Sequence, residues 1–257
     1  MIADIFITTK NRPDLLRQSL TSLFECTDKE SVRVTLVRDG DYSSTRFAED
    51  EFDLDYILTS SENNGLGPAI NLALTHVNTI NNWFDHRTHG DASKVAPFIV
   101  YCQDDLLYTP GWLEKLARNF LVLEKAQKLG FASGLECVEH ETKQVLHGGM
   151  VLKNWIRAAN MFARREYWMS MFPIPRFDPE TGNIRAKPND GMGSGVDWWF
   201  IRNHENSVCK TGRTCLVIPG LVQHLGYKDS TWLKRELPES EKDKKTINEQ
   251  NAKQTDS

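Results

Sequence analysis

No apolar run in this sequence approaches the length needed to cross a bilayer. No Cys-x-x-Cys pair occurs among its five cysteines, Cys26, Cys102, Cys137, Cys209 and Cys215, which argues against a zinc site. Their odd number reads as free thiols in a reducing compartment, although Cys209 and Cys215 could pair in an oxidising one. There is no excess of positive charge: the formal net charge is −4. Bulk attraction to nucleic acid or anionic lipid is therefore not indicated, while a local basic patch stays compatible with it. No basic segment or small-residue cleavage site precedes the strand pattern that begins at Met1-Ile2-Ala3-Asp4, so no signal peptide is read and a cytoplasmic location is expected. No internal repeat is visible. What remains is ordinary for a globular chain. The 257 residues are 40% hydrophobic and 26% charged, enough for one large domain or a domain with an appendage.

Strand and helix signals alternate along the first half. A β-branched and aromatic run at 5–7 predicts a first strand. Lys10-Asn11-Arg12-Pro13 then opens a helix, with Pro13 suited to its first position and Leu15, Leu16, Leu20, Leu23 and Phe24 at helical spacing. Further strands are predicted at 32–37, 56–58 and 98–102, and further helices near Pro68 and from Pro110, the latter with Leu113, Leu116, Phe120 and Leu123 on one face. Residues 78–97 read as an irregular insertion or a short helix with loops, and their His86 and His89 as surface histidines rather than a metal pair. Such alternation predicts a parallel sheet covered by helices on both faces. Ligands of these sheets bind outside the carboxyl ends of the strands. Thr8, Thr9, Asp39, Asp104 and Asp105 all fall at predicted strand ends, so they would share one rim. Strand ends are often polar because loops are, but that explains three acidic residues on one edge less well than it explains threonine and glycine.

Gln103-Asp104-Asp105 is the most telling group. Two adjacent carboxylates at the end of a buried strand are costly without positive charge beside them. The cheapest partner is a divalent cation whose shell is completed by the phosphates of a nucleotide. The plainer alternative is a pair that solvates a strand end or caps a turn.

The second half carries weaker signals. Strands are predicted at 131–134 and 215–218, and a strand or hairpin around Gly148-Gly149 at 145–152. Between 153 and 177, basic and aromatic residues interleave: Trp155, Arg157, Phe162, Arg164, Arg165, Tyr167, Trp168 and Arg176. That segment reads either as a binding platform, with rings stacking on sugar rings or bases and arginines holding anions, or as amphipathic core packing. Residues 178–195 are rich in glycine and proline and read as a mobile loop. A helix is predicted at 196–203 with Asp197 near its start. From 234 onward the charged composition reads as a solvated or disordered tail.

Ile7-Thr8-Thr9-Lys10-Asn11-Arg12-Pro13, Val37-Arg38-Asp39-Gly40, Asn63-Asn64-Gly65-Leu66-Gly67-Pro68-Ala69-Ile70-Asn71 and Gln103-Asp104-Asp105 stand in this order, each after the appropriate element. Together they make the chain resemble the family-two GT-A glycosyltransferases, well over residues 2–130 and more loosely over 190–226. The third segment looks like the family's Asn-x-Gly-x-x-x-Ala-x-Asn element, and the triplet stands in the place of its Asp-x-Asp motif. The resemblance implies an α/β fold, a GT-A type single domain with a Rossmann-like, mostly parallel sheet flanked by helices and a smaller acceptor-side region. Residues 1–130 would form the nucleotide-sugar-binding half, 131–233 the acceptor-binding and catalytic half of the same domain, and 234–257 the tail.

It also implies roles. Thr8, Arg12 and Asp39 would line the nucleoside pocket of a nucleotide sugar, usually a uridine diphosphate sugar, with Asn64 and Gly65 beside the ribose. Asp104 would face ribose or metal, and Asp105 would ligate Mn2+ or Mg2+ on the diphosphate. His224 resembles the late histidine that many GT-A enzymes return to the metal; a core or surface histidine is the competing reading. Asp197 resembles the family's base, which would give direct inversion at the anomeric carbon; helix N-capping competes. The chain departs from the pattern at Gln103 and at Val196, where the family commonly has acidic residues, and at Ile70, where it often has a basic one.

The acceptor expected is a saccharide or glycoconjugate, with modified DNA bases or a protein as alternatives. Two other classes are open. A nucleotidyltransferase usually shows a glycine-rich basic loop after the first strand, and residues 8–13 contain no glycine. A nucleotide-sugar-binding module without catalysis would account for Gln103 and Val196.

Overall fold

The first two strands, β1 (Ala3–Thr9) and β2 (Val32–Asp39), are buried at every position. Strands covered on both faces lose the alternation of apolar and polar residues, as parallel sheets require. The computed structural model describes residues 1–40, 42–62, 64–87, 95–136, 141–175, 196 and 199–225, without the side chains of 83–87 and 203. β1 pairs in parallel with β2 on one side and with β4 (Phe98–Gln103) on the other, and β3 (Tyr56–Ser60) extends the parallel set beyond β2. β9 (Asn160–Arg164) runs antiparallel between β4 and β6 (Leu129–Leu135). Beyond β6 come β10 (Thr214–His224), β8 (Val151–Lys153) and β7 (Thr142–Val145), all within one mixed sheet. The short β5 (Leu106–Tyr108) pairs antiparallel with the end of β10, setting Leu106 opposite His224. The α/β fold with a parallel core flanked by helices is as expected from the motifs.

Side chains alternate across the strands and build two cores. Ile5, Ile7 and Val100 face α1 (Pro13–Cys26) and α4 (Trp112–Gln127), meeting Leu16, Leu20, Trp112 and Phe120. Phe6, Ile99 and Tyr101 face α3 (Leu66–Arg87) and α5 (Arg165–Met169), meeting Ile70, Leu74 and Trp168. A short α2 (Phe47–Glu51) lies between β2 and β3.

The structure corrects several sequence expectations. α3 continues to Arg87 through the first half of the stretch read as irregular. Its asparagines weaken the helical signal, yet Asn81 is fully buried and is held by the sheet. Its Nδ2 donates to Asp4 Oδ2 at 2.8 Å, and its Oδ1 accepts from Arg33 Nη2 at 2.7 Å. Arg33 also forks onto Asp4 at 2.6 and 2.9 Å. β5 and β9 were not expected, being three and five residues long. The strand expected at 215–218 runs on to His224 through an irregularity between Val217 and Val222. The hairpin around Gly148-Gly149 is present as β7–β8, with φ of +77° at both glycines, where an L side chain would be strained.

Much of the aromatic segment is core, although Trp155 is only half-buried. Phe162 and Trp168 are fully buried, and Trp168 Nε1 donates to the Ile99 carbonyl at 3.0 Å. Arg164 pairs with Glu124 at 2.7 and 3.0 Å and lies 4.7 Å over the Phe98 ring. These rings go inward and the Arg164 guanidinium outward, so Phe162, Tyr167 and Trp168 offer no platform. The tail and the loop at 178–195 lie outside the described residues.

Candidate active site

The parallel register sets Thr8 opposite both Val37 and Gln103. Thr9, Asp39 and the Gln103–Asp105 turn therefore come to one edge of the sheet, as the strand pattern predicted.

Asp104 and Asp105 are 0% and 1% exposed. Thr9 Oγ1 donates to Asp104 Oδ2 at 2.6 Å. The other partner is Arg12, whose guanidinium spans both carboxylates. Nη2 donates to Asp104 Oδ1, and Nη1 donates to Asp105 Oδ2 at 2.7 Å. Local backbone directs it there. Asn11 is left-handed, at φ +52°, a region asparagine enters more readily than most residues, and Pro13 then starts α1. The resemblance had set Arg12 among the nucleoside contacts; its side chain lies on the acidic pair. Sequence alone gives no direction for a long side chain in a loop.

One guanidinium does not balance two carboxylates, which leaves a formal charge of −1 in the cluster (−2 + 1). Burial pushes the Asp104 carboxyl up to about 6, against the opposing pull of Arg12 and Thr9. Asp105 Oδ1 has no hydrogen-bond partner among the described residues and lies 3.5 Å from His224 Nε2. Burial holds the His224 imidazole below its usual range; Asp105 opposes this, and Arg157 and Arg12 add to it. A neutral imidazole and a carboxylate oxygen are ligand types for Mn2+. Two bonds of usual length that meet at a cation span roughly 3 Å or slightly more, so this oxygen and nitrogen fit a shared ion. Among the described residues no group of three or more His, Cys, Asp or Glu is placed to hold a metal ion by itself.

Asp39 organises the second part of the rim. Its Oδ1 accepts from the Asn64 N–H at 2.8 Å and its Oδ2 from the Gly65 N–H at 2.9 Å. Gly65 has φ +86°, and a Cβ there would meet nothing within 4 Å, so the requirement is conformational rather than steric. Asn64 Nδ2 donates to Ser60 Oγ at 2.7 Å. The loop so held delivers the N-terminus of α3 to the same edge. A carboxylate has about four lone-pair sites, so Asp39 keeps accepting capacity. Behind it Arg38 is buried, donating to Glu49 at 2.5 Å and to the Thr45 carbonyl at 2.9 Å. Thr8 Oγ1 shares a hydrogen bond of 3.2 Å with the Tyr101 hydroxyl.

Gln103 has a use that sequence reasoning missed. Its backbone N–H donates to the Ala159 carbonyl at 2.9 Å and its Nε2 to the Ala158 carbonyl at 3.3 Å. An ionised acid at this position could not make the second bond. The amide thus fastens the segment that carries Arg157 beside the rim. Asp197 lies outside the described residues. A pocket of about 580 Å³ opens elsewhere, at the start of β6 and the end of β9, lined by Glu124, Arg164, Tyr167 and Arg213. Its arginines are engaged, by Glu124 and by the Tyr167 ring at 4.7 Å, and it holds none of the rim residues.

The sequence matches the family model described as Glycosyl transferase family 2 over residues 4–203. No curated protein matches it. The fold is similar to that of the mannosyltransferase PcManGT from Pyrobaculum calidifontis in complex with GDP-Man and Mn2+. The TM-score is 0.54 at 15% identity, covering 85% of this chain and 55% of that one. It is similar to GalNAc-T7 with UDP, GalNAc and Mn2+, at TM-score 0.55 and 11% identity, covering 87% of this chain and 43% of that one. It is also similar to S. aureus TarS, at TM-score 0.51 and 12% identity, covering 86% and 35%. At these identities the likeness is one of fold, and the chain spans about half the length of the first two structures.

Proposed function

The chain belongs to glycosyl transferase family 2, and from that premise we propose that it moves a sugar from a nucleotide-sugar donor to an acceptor hydroxyl with the help of a divalent cation. The observation that supports this best is the buried Asp105 Oδ1, without a hydrogen-bond partner among the described residues and 3.5 Å from His224 Nε2. These two atoms would hold Mn2+ or Mg2+, with the donor diphosphate and water completing the shell. When bound, the cation supplies Lewis-acid stabilisation of the departing diphosphate.

Thr8 and the loop that Asp39 fixes would receive the nucleoside, with Asn64 and Gly65 at the ribose and Asp104 facing ribose or metal. The N-terminus of α3 favours negative charge nearby. A uridine diphosphate sugar is the proposed donor. Asp197 would take the proton of the acceptor hydroxyl, contributing about 10²–10⁴-fold in rate. The displacement then inverts the anomeric carbon through an oxocarbenium-like transition state. A saccharide or glycoconjugate is the proposed acceptor. One observation favours a second reading, a nucleotide-sugar-binding module without catalysis: Arg12 already spans the acidic pair.

Nucleoside diphosphate release from UDP-sugars and from GDP-mannose, measured with Mn2+, separates the two. Turnover of at least one donor is expected. Binding without turnover by any donor selects the module, and neither binding nor turnover overturns both. Asp197→Asn is expected to bind donor normally and to lose transfer; near-normal transfer removes Asp197 as base.

A further inference from the structure

We infer that Arg12 is an exchangeable internal counter-cation, which offsets half the charge of the Asp104–Asp105 pair in the free protein and must give way when a divalent cation binds. The inference rests on the metal reading of Asp105 and His224.

Three features carry it. Arg12 lies across both carboxylates and takes the Asp105 oxygen next to the one left for the cation. A cation on Oδ1 would share the Asp105 carboxylate with the guanidinium that already holds Oδ2. Second, charge does not permit both ions comfortably. The pair with Arg12 is at −1, and adding a divalent ion before the donor arrives makes a buried cluster of +1 (−2 + 1 + 2). Third, only one member can leave. The carboxylates are 0% and 1% exposed, while the Arg12 side chain is 33% exposed. A donor diphosphate provides the anion on which the displaced guanidinium can fork, since Arg suits planar two-pronged recognition of phosphate. Binding of metal and of donor would then reinforce each other. By linkage, whatever Arg12 takes from metal affinity, metal takes from the hold of Arg12 on the pair.

The test is a titration with Mn2+ alone, followed by calorimetry or by the loss of free Mn2+ resonance. It compares the wild type with Arg12→Gln and Arg12→Lys, and each titration is repeated with UDP present. Without UDP, Arg12→Gln is expected to bind Mn2+ about tenfold more tightly than wild type. Arg12→Lys, which keeps a charge but not the fork, should fall between them. UDP should tighten Mn2+ binding in the wild type more than in Arg12→Gln. Equal or weaker Mn2+ binding by Arg12→Gln overturns the inference and leaves the metal reading standing. If no protein binds Mn2+ with or without UDP, the metal reading falls and the inference with it. Should Arg12→Gln not fold, Arg12→Lys decides: binding no tighter than wild type overturns the inference.

Discussion

Gln103 shows how one residue can depart from a motif for a structural reason. Its amide gives a proton to the Ala158 carbonyl, and its backbone N–H gives one to Ala159. Gln103→Glu keeps the size and loses the side-chain bond, placing a carboxylate against a carbonyl oxygen. A loss of about 1 kcal/mol in stability is expected in urea denaturation at neutral pH, since the site is half-buried. Unchanged stability would mean that the bond does not hold the segment. The acidic pair itself was legible from residue types alone, because two carboxylates ending an apolar strand demand compensation. The compensating group was not. Arg12 is one of many basic residues in loops, and only the left-handed turn at Asn11 aims it at the pair. Thr9 was legible as a rim residue but not as the donor to Asp104.

Among the elements, the alternation of strands and helices made the parallel half readable, and the strand ends fell where the rim is. The antiparallel half was less readable because its strands are short and its aromatics interleave with arginines. The pairing of β5 with the end of β10 matters most for the site, since it sets Leu106 opposite His224 and so brings the imidazole to Asp105. A three-residue strand directly after the triplet leaves almost no periodic signal. α3 shows the opposite failure, a helix hidden by polar residues that face inward. Asn81 ties it to Asp4 and Arg33 under the sheet. Asn81→Ala leaves that buried ion pair short of partners, and a cost of about 2–4 kcal/mol is expected from urea denaturation. A cost below about 0.5 kcal/mol, the usual range of surface changes, would show that the network does not anchor the helix.

At the scale of the whole molecule, one edge of one mixed sheet gathers Thr8, Arg12, Asp39, Asp105 and His224 from distant parts of the chain. Fold and family were legible in the sequence through four ordered motifs and agree with the structure and with the family match. Sugar and acceptor were not, because neither strand periodicity nor the rim chemistry specifies them. The central claim is that Asp105 joins a cation to the donor. It is tested most directly by the thermal shift of wild type and Asp105→Ala with UDP-sugars, each with Mn2+ and with EDTA. A donor present at a hundred times its Kd stabilises by about 2.7 kcal/mol. The wild type should show such a shift with Mn2+ and lose it in EDTA, and Asp105→Ala should show none in either. Equal shifts in all four conditions would contradict the account.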